Sequence, residues 1–475
     1  MTLKFYDHLD TVDLDTTNAK IEKGGWPQNG PTPLPGNKWA EVEESIRVAW
    51  LLEDDDDRAA EMGKLGKLAI RALEVQNPLH PYYDDPAKHV VMEAKTPTET
   101  NTRYATISMI RSPQLDTRHQ GGQQWLTLSA KVMREGLWRG VRPGGTMINL
   151  VNAQQVYNHD YSTKHNYITV DPDDIDGDAP GILKLTFKTV SGQTSFFANA
   201  TFFVSVVTAD SLADLNAMEL WQLANSATSI NAGGTPVDAT AAGFGETPDT
   251  YAIKWTQQTA GNAYYELANA LAKTSGAFQV YVVGQPDEED KTDARFLHGF
   301  GSSPQSGPGV DAHYGTDAGA NTWRCKYLGE IQVPPGGLVR GQSSNKTYTF
   351  RHQWQADDAV DYYQAAGFLM PTHEQFFGAK IPGAAFGGAT GLTSLVIDGE
   401  IERVYSLDDN GDLLYSSFPL NGQFPQIVPG KWNRIYFYNL NFNDPSGGTG
   451  PHYFFSQFHM TADYVPRYQY LRGAG

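Results

Sequence analysis

The stretch VDPDDIDGDAPGILKLTF, residues 170–187, contains five aspartates within eight residues and then becomes apolar. Acidic clusters of this kind occur in calcium-binding loops and also in turns that lead into a β-strand. An EF-hand loop needs a carboxylate at its first position and a glutamate at its twelfth. With Gly177 as the loop glycine, these positions are Pro172 and Leu183, so the EF-hand pattern fails at both ends.

An acidic turn followed by a strand is the favoured interpretation of this stretch. Turns prefer Asp, Gly and Pro, which fill the segment from Asp176 to Pro180, and a run of apolar residues follows over 182–187. The stretch therefore predicts a turn and then a strand that contributes to a core. An irregular calcium site stays open as the alternative, with four candidate ligands: Asp173, Asp174, Asp176 and Asp178.

The whole chain has 475 residues, with 36 Lys and Arg, 54 Asp and Glu, and a formal net charge of −18. This length predicts about two to four domains. An acidic chain without basic runs is not recruited to nucleic acid by its charge. The single cysteine, Cys325, excludes an intrachain disulfide. The first residues lack a signal-peptide core, and no apolar run reaches the length of a membrane span. We therefore expect a protein made in a cytoplasm, with no membrane insertion and no specific binding of nucleic acid.

The composition favours a mainly β protein with minor α content. Glycine (47 residues) and proline (27) are suited to many turns, and tyrosine (24) and phenylalanine (22) are typical of strands. Alternating apolar residues predict a strand over 42–50. The four acids at 54–57 then suit the cap and first turn of a helix. Its predicted buried stripe has 3–4 spacing and comprises Ala59, Met62, Leu65, Ala69 and Leu73.

The remaining elements are predicted mostly as strands. Within the segment 1–145 these are 89–94, 104–110 and 124–133. From residue 146 onward they include 167–170, 181–190, 201–209, 277–284 and 347–354, with short helices at 211–224 and 262–274 and a Gly/Ser/Pro-rich loop over 299–321. In the last hundred residues, Asn410-Gly411 between apolar arms predicts a β-hairpin.

A search for catalytic, cofactor-binding and metal-binding motifs nominates no residue. Phosphate-binding loops, nucleophile elbows and zinc-binding helices are absent. The histidines are scattered, and the pair of most interest is His159 and His165. The aromatic segments 360–368 and 451–459 either stack on sugar rings or fill a core, and the core is favoured. We therefore expect no enzyme, no cofactor and no metal.

The segment of residues 394–437 resembles the C-terminal part of siphophage distal tail (Dit-like) proteins. That family has a short hairpin with an Asn-Gly or Asp-Gly turn and then the phrase G-x-F-P-x-L-x-P-G-x-N-x-I. In this chain the matching residues are Gly422, Phe424, Pro425, Ile427, Pro429, Gly430, Asn433 and Ile435. Ile427 replaces the family's leucine, and Trp432 adds one residue before Asn433.

Other phrases point to the same family. The strand, helix and strands that end in REGLWRG (134–140) resemble its ring-forming belt domain, with Leu137-Trp138 in place of P-[FY]-W. IDGDAPGILKLTF (175–187) resembles a phrase of tail and baseplate β-sandwich modules. The segments 327–335 and 359–376 look like further strands of such a sandwich.

The resemblance implies a domain plan and a structural role. It implies a β–α–β, split-barrel-like belt domain over 1–145, one or more galectin-like or carbohydrate-binding-like β-sandwich modules over 146–377, and a C-terminal β segment over 378–475. A protein of this family is a virion protein, assembled in the host cytoplasm. It forms a ring of six or three copies that joins the tail tube to hub or fibre proteins. Binding of a host surface glycan by the middle module is the alternative, and a glycan depolymerase is less favoured.

Overall fold

A computed structural model gives the architecture of most of the chain. It describes residues 2–16, 19–22, 26–27, 29–34, 38–51, 55–97, 99–111, 114–120, 123–157, 160, 164–189, 201–216, 218, 220–223, 229–230, 234–237, 252–255, 263–267, 276–286, 295–300, 312–313, 324–333, 350–355, 362–372, 375–380, 394–416, 418–440 and 457–471. Within these ranges the fold is mainly β with little α, which confirms the predicted fold class.

The segment 1–145 contains eleven strands and one long helix, α1 (Asp55–Glu74). The strands are β1 (Thr2–Tyr6), β2 (Thr11–Asp13), β3 (Ala19–Ile21), β4 (Pro33–Leu34), β5 (Lys38–Trp39), β6 (Val42–Leu51), β7 (Val91–Lys95), β8 (Arg103–Ile110), β9 (Gln114–Gln120), β10 (Gln123–Arg134) and β11 (Trp138–Arg139). A 3-10 helix spans Pro86–Lys88.

The segment 146–377 contains strands almost throughout and one short helix, α2 (Leu212–Asn216). The strands are β12 (Ile148–Tyr157), β13 (Tyr167–Val170), β14 (Ala179–Thr189), β15 (Thr201–Ala209), β16 (Trp221–Leu223), β17 (Ser229–Ile230), β18 (Gly234–Val237), β19 (Ala252–Trp255), β20 (Ala263–Leu267), β21 (Gly276–Pro286), β22 (Arg295–Phe300), β23 (Ala312–His313), β24 (Arg324–Val333), β25 (Phe350–Gln355), β26 (Tyr362–Pro371) and β27 (Gln375–Lys380). A second 3-10 helix spans Pro172–Asp174.

The remaining seven strands lie in the last hundred residues. They are β28 (Ser394–Asp398), β29 (Arg403–Leu407), β30 (Leu413–Tyr415), β31 (Leu420–Gly422), β32 (Gln426–Ile427), β33 (Trp432–Asn439) and β34 (Gln457–Tyr468). The predicted hairpin is confirmed, because Gly411 lies between β29 and β30 with a φ of 87°.

The elements predicted within segment 1–145 are confirmed, but two residues of the stripe predicted to be buried on α1, Ala59 and Leu73, are exposed. The buried residues of the helix are Leu65, Leu68 and Ala72, and Met62 and Ala69 pack beside them. Leu73 is 52% exposed. A stripe with 3–4 spacing can be drawn along either of two adjacent helix faces, and the face that meets the sheet is the one that ends at Ala72.

Two predictions of helix were wrong in part. The range 211–224 begins with α2 but ends with strand β16, which pairs with β26. The range 262–274 contains strand β20, whose residues pair with β17 on one side and β25 on the other. Pairing on both sides outweighs a local helical pattern. The predicted loop over 299–321 lies outside the described residues, except for Gly299, Phe300, Ala312 and His313.

The largest sheet has sixteen strands and contains strands from all three predicted segments. Its main path runs β2-β1-β7-β8-β11-β34-β14-β28-β29-β30, with β3, β6, β9, β10, β12 and β32 attached beside it. Strand β34 is central, because it pairs with β11, β12 and β14. The division into three domains stays a prediction, and these pairings join the last segment to both of the others.

Two hydrophobic cores organise this part of the fold. In the first core, β14, β28 and β34 face a five-stranded sheet of order β13-β33-β15-β27-β31, so the two sheets form a sandwich. Phe187 lies at its centre, with ring centroids 4.7 Å from Phe437 and 5.7 Å from Phe458. In the second core, α1 packs on strands of segment 1–145. Two smaller sheets have the orders β18-β19-β26-β21-β24 and β17-β20-β25-β22-β23.

Candidate functional site

Three of the five aspartates of residues 171–178 have side chains that bond within the chain itself. The side chain of Asp171 caps the 3-10 helix by accepting from the Asp173 N–H at 2.9 Å. Tyr468 Oη donates to Asp176 Oδ2 at 2.6 Å, and the Gln469 N–H donates to Asp178 Oδ1 at 2.7 Å. The acidic turn is thus fastened to the end of β34.

The predicted turn and strand are confirmed at this position. Gly177 has a φ of 119°, and a Cβ there would lie 2.8 Å from the Arg467 carbonyl oxygen, so the turn requires glycine. Strand β14 follows, with Leu183, Leu185 and Phe187 fully buried. Among the residues that the structure describes, no group of three or more His, Cys, Asp or Glu side chains is placed to hold a metal ion.

The candidate site is a cleft around Arg139, where the first segment meets the last. Arg139 Nη1 lies 2.6 Å from Glu400 Oε1, and its Nε lies 2.8 Å from Glu135 Oε1. The Gly144 N–H also donates to Glu400 Oε1 at 3.1 Å. Burial alone would lower the pKa of Arg139, but the two glutamates hold this pKa above its ordinary value. The arginine is therefore a fixed cation that positions both carboxylates.

Two cavities adjoin at Arg139, Glu400 and Glu402. The first has a volume of about 320 Å³ and is rich in carboxylates; its lining is completed by Glu41, Val75, Gln76, Tyr83, Asp84, Pro86, His89, Thr106, Ser108, Glu135 and Ile401. The second has a volume of about 670 Å³ and is completed by Ile182, Gly399, Leu420, Gly422, Gln423, Phe424, Pro425, Gln426 and Arg467. Sequence reasoning missed this cleft, since its residues are far apart in the chain.

Two side chains that line the larger cavity have unsatisfied polar atoms. Arg467 Nε donates to the Pro180 carbonyl oxygen at 2.6 Å, but its Nη2 is buried without a hydrogen-bond partner. Burial lowers the pKa of Arg467 to about 10. Gln426 Oε1 is likewise buried without a partner. Buried polar atoms usually have partners, so these two require an explanation.

Most of the described aromatic side chains fill cores. Phe368 stacks between Tyr281 and Tyr438, with ring centroids 5.1 Å and 5.6 Å away, and all three are buried. Phe458 lies in the sandwich core. The core interpretation of segments 360–368 and 451–459 is therefore confirmed at Phe368 and Phe458. The side chains of the other aromatic residues in those segments lie outside the described part.

Of the two histidines singled out in the sequence, only His165 is described. Its Nδ1 lies 2.6 Å from Asp160 Oδ1, and its ring stacks on Tyr167 with a centroid distance of 4.8 Å. Burial raises the pKa of Asp160, and the hydrogen bond to His165 opposes this shift. The contact between His165 and Asp160 therefore holds the segment before β13 against the sandwich, which is a structural role.

Apolar side chains are exposed beside the first strand and on the last strand of the main path through the largest sheet. One group, which we call the α1 patch, lies on α1 and the loops beside β2; it comprises Leu9, Ile70, Leu73, Leu79 and Tyr82. The His8 ring contacts Tyr82, and Arg71 forms ion pairs with Asp7 and Asp10, so these segments lie together. The other group, the β30 patch, comprises Leu413 and Leu414.

No protein-family model matches this chain, and no curated protein matches it. Solved structures similar to it include the Dit protein of phage SPP1, described as a paradigm of the hub adsorption apparatus in phages that infect Gram-positive bacteria. That match has 8% identity and a TM-score of 0.29, and it covers 98% of each chain. The baseplate of phage p2 in its activated conformation matches with 8% identity and a TM-score of 0.18, over 76% of this chain and 97% of that one.

A further similar structure is a carbohydrate esterase from the Shiga toxin-encoding bacteriophage phi24B. It matches with 12% identity and a TM-score of 0.14, over 53% of this chain and 97% of the esterase. These similar structures are therefore phage proteins, of which one belongs to a hub adsorption apparatus and one is a baseplate. No helix among the described residues is both long and apolar enough to cross a membrane.

Proposed function

We propose that this chain is a structural component of a phage tail tip or baseplate. It assembles head to tail into a closed ring that joins the tail tube to hub or fibre proteins. The resemblance of residues 394–437 and 134–140 to distal tail proteins supports the class of protein. The observation that carries the assembly is that the two exposed apolar patches lie beside the first strand and on the last strand of the main path through the sixteen-stranded sheet.

The path of this sheet begins at β2 and ends at β30, and both are edge strands. Edge strands present unpaired backbone groups, and proteins normally cover or protect them. Here the α1 patch lies beside β2, and the β30 patch lies on the other edge strand itself. Two different surfaces that meet between identical copies make a heterologous contact, which closes into a ring when the rotation between copies allows it.

The exposed residues are large enough to contribute substantially to such a contact. Leu73 is 52% exposed, Leu79 is 90% exposed and Leu413 is 63% exposed. Full burial of one leucine side chain is worth about 1.5–3 kcal/mol. The outer face of α1 also carries Gly63 and Gly66, where a Cβ would meet nothing within 4 Å. A partner surface can therefore approach the helix closely.

Mass photometry of the purified chain tests this proposal. We expect a closed oligomer of six or three copies, alone or with tube protein. Leu73→Asp and Leu413→Asp each place a charge in one of the two patches, so each reduces the oligomer to monomers. Leu212→Asp, at a leucine of α2 that is 38% exposed, serves as the matched control and leaves the oligomer intact. Monomers only, with and without tube protein, would overturn the proposal.

Host glycan binding by residues 146–377 stays a prediction. The described aromatic residues of that segment are mostly buried, and Tyr327, which is 47% exposed, is the exception among its large aromatic side chains. A glycan array probed with the full chain tests this candidate. The Tyr327→Ala variant, which keeps the buried rings intact, is probed on the same array.

A further inference from the structure

Strand β31 ends the five-stranded sheet of the sandwich and borders the larger cavity. It pairs with β27 on one side only, through Leu420, Asn421 and Gly422. Its three residues are exposed. The backbone groups on its other side therefore have no strand to bond with among the described residues.

The hydrogen-bond pattern identifies which backbone groups of β31 face outward. The Gln423 N–H donates to the Phe376 carbonyl oxygen at 2.9 Å, and the Lys380 N–H donates to the Pro419 carbonyl oxygen at 3.2 Å. In an antiparallel pair, bonded and non-bonded residues alternate. The backbone N–H and C=O groups of Asn421 are then directed toward β27. Those of Leu420 and Gly422 are directed away from β27.

The two outward-directed residues also meet the cavity. Leu420 and Gly422 line it, as does Gln423 just after the strand, whereas Asn421 does not. A Cβ at Gly422, whose φ is 91°, would lie 2.2 Å from the Phe376 carbonyl oxygen. Glycine at this position therefore lets the edge strand pass close to β27.

We propose that this edge of β31 binds an extended, basic peptide segment of a partner protein, which adds to the sheet as an extra antiparallel or parallel strand. Strand addition supplies main-chain hydrogen bonds for affinity and places alternate side chains in adjoining pockets. The cavity of about 670 Å³ has room for side chains of the bound segment. Its apolar lining by Ile182, Phe424 and Pro425 suits an apolar side chain of that segment.

The charge of the cleft defines the chemistry of the segment. Five carboxylates line the smaller cavity, and three of them already have a cationic partner: Glu135 and Glu400 pair with Arg139, and Asp84 pairs with Arg403 at 2.5 Å. Glu402 lines both cavities, including the one that β31 borders, and it forms no ion pair among the described residues; the same holds for Glu41 in the smaller cavity. A lysine or arginine of the bound segment would supply the missing positive charge.

The backbone at Glu402 and the unsatisfied atoms nearby agree with a binding site. Glu402 has a φ of 49°, a left-handed conformation that is uncommon for residues other than glycine. Arg467 and Gln426 line the same cavity with one buried, unpartnered polar atom each. Small movements of these side chains would let the polar groups of a bound peptide satisfy them.

The test uses the full-length chain and a display library of ten-residue random peptides. Selected peptides are synthesised with a fluorescent label, and their dissociation constants are measured by anisotropy. We expect sequences that alternate apolar and other residues and contain Lys or Arg. Because one main-chain hydrogen bond is lost, Leu420→Pro should weaken binding about tenfold, whereas Leu420→Ala, which keeps the N–H, should weaken it less than about threefold.

The contribution of the Glu402 charge is tested separately with Glu402→Gln. This variant should bind the same peptides more weakly, and its binding should depend less on salt. Thermal unfolding of each variant confirms that it folds. The inference is overturned if the library yields no binding peptide, or if the selected peptides bind Leu420→Pro as tightly as Leu420→Ala. The inference does not rest on ring formation, because the mass of the assembly is measured in parallel and can stay unchanged while peptide binding is lost.

Discussion

Arg139 Nη1 lies 2.6 Å from Glu400 Oε1, and this buried ion pair joins strand β11 to the turn between β28 and β29. Removing one partner of a buried pair leaves the other charge incompletely compensated. Glu400→Gln should therefore lower the free energy of unfolding by about 2 kcal/mol, since Glu135 still pairs with the arginine. Urea unfolding measures the change. Glu402→Gln, at an exposed residue of the same turn, is the control and should change stability by less than about 0.5 kcal/mol.

A second prediction concerns the acidic turn of residues 171–178. Tyr468 Oη donates to Asp176 Oδ2, so Asp176→Asn and Tyr468→Phe should each lower stability by about 1–2 kcal/mol. The double variant should lose much less than the sum, because both changes remove the same contact. Calcium or a chelator should leave the unfolding temperature of the wild type unchanged. A chelator that destabilises the wild type but not Asp176→Asn would restore the calcium interpretation.

A third prediction concerns the aromatic centre of the sandwich core. Phe187 is fully buried and its ring contacts those of Phe202, Phe437 and Phe458. Phe187→Ala should lower the free energy of unfolding by about 3–5 kcal/mol, through lost burial and the cavity that remains. Phe187→Leu keeps most of the volume and should cost only about 1 kcal/mol. Equal losses for the two variants would mean that this ring is not closely packed.

The strands that the sequence predicts well are those whose pattern is local. The alternation over 42–50 and the apolar run after the acidic turn identify β6 and β14 because each of these strands has a buried face of its own. The short strands β1, β2 and β3 were not predicted. β1 pairs with β7 and β3 pairs with β6, so the pairing of these two strands depends on residues farther along the chain. β2 pairs with the adjacent β1, but with three residues it is too short for a clear local pattern.

The same reason explains why the cleft was not found from the sequence. Arg139 and Glu400 are 261 residues apart, and Asp176 and Tyr468 are 292 residues apart. Each of these residues has an ordinary local context, namely a turn or the end of a strand. Only the central position of β34, which brings the first segment and the sandwich into one sheet, places them together. Sequence reasoning therefore located the acidic turn but not the tyrosine that binds it.

A fourth prediction concerns the pH dependence of the hairpin between β29 and β30. The Asp408 carboxylate accepts the N–H groups of Asp412 at 2.8 Å and of Asn410 at 2.9 Å. These bonds lower the pKa of Asp408 below its ordinary value. Asp408 therefore binds a proton more readily in the unfolded chain than in the folded one. The stabilisation by the ionised Asp408 carboxylate is complete above the ordinary aspartate pKa. It is lost as the pH falls through the lowered value in the folded chain.

The measurement compares the wild type with Asp408→Asn, whose amide oxygen can accept the same bonds without a charge. The difference in urea midpoint between the two should be largest near pH 7 and should shrink as the pH falls below about 4. A difference that stays constant over this range would show that the charge of Asp408 does not contribute.

The last prediction distinguishes a head-to-tail ring from a symmetric dimer. In a heterologous contact, Leu73→Asp loses its α1 patch but keeps an intact β30 patch. Leu413→Asp loses its β30 patch but keeps an intact α1 patch. Each variant alone should be monomeric. An equimolar mixture should form heterodimers and stop there, because one intact pair of surfaces meets and both free ends are blocked. In a two-fold contact between α1 patches, Leu413→Asp alone would already dimerise. Mass photometry with one variant carrying a mass tag separates these outcomes. The double variant Leu73→Asp/Leu413→Asp, which should join no partner, is the control.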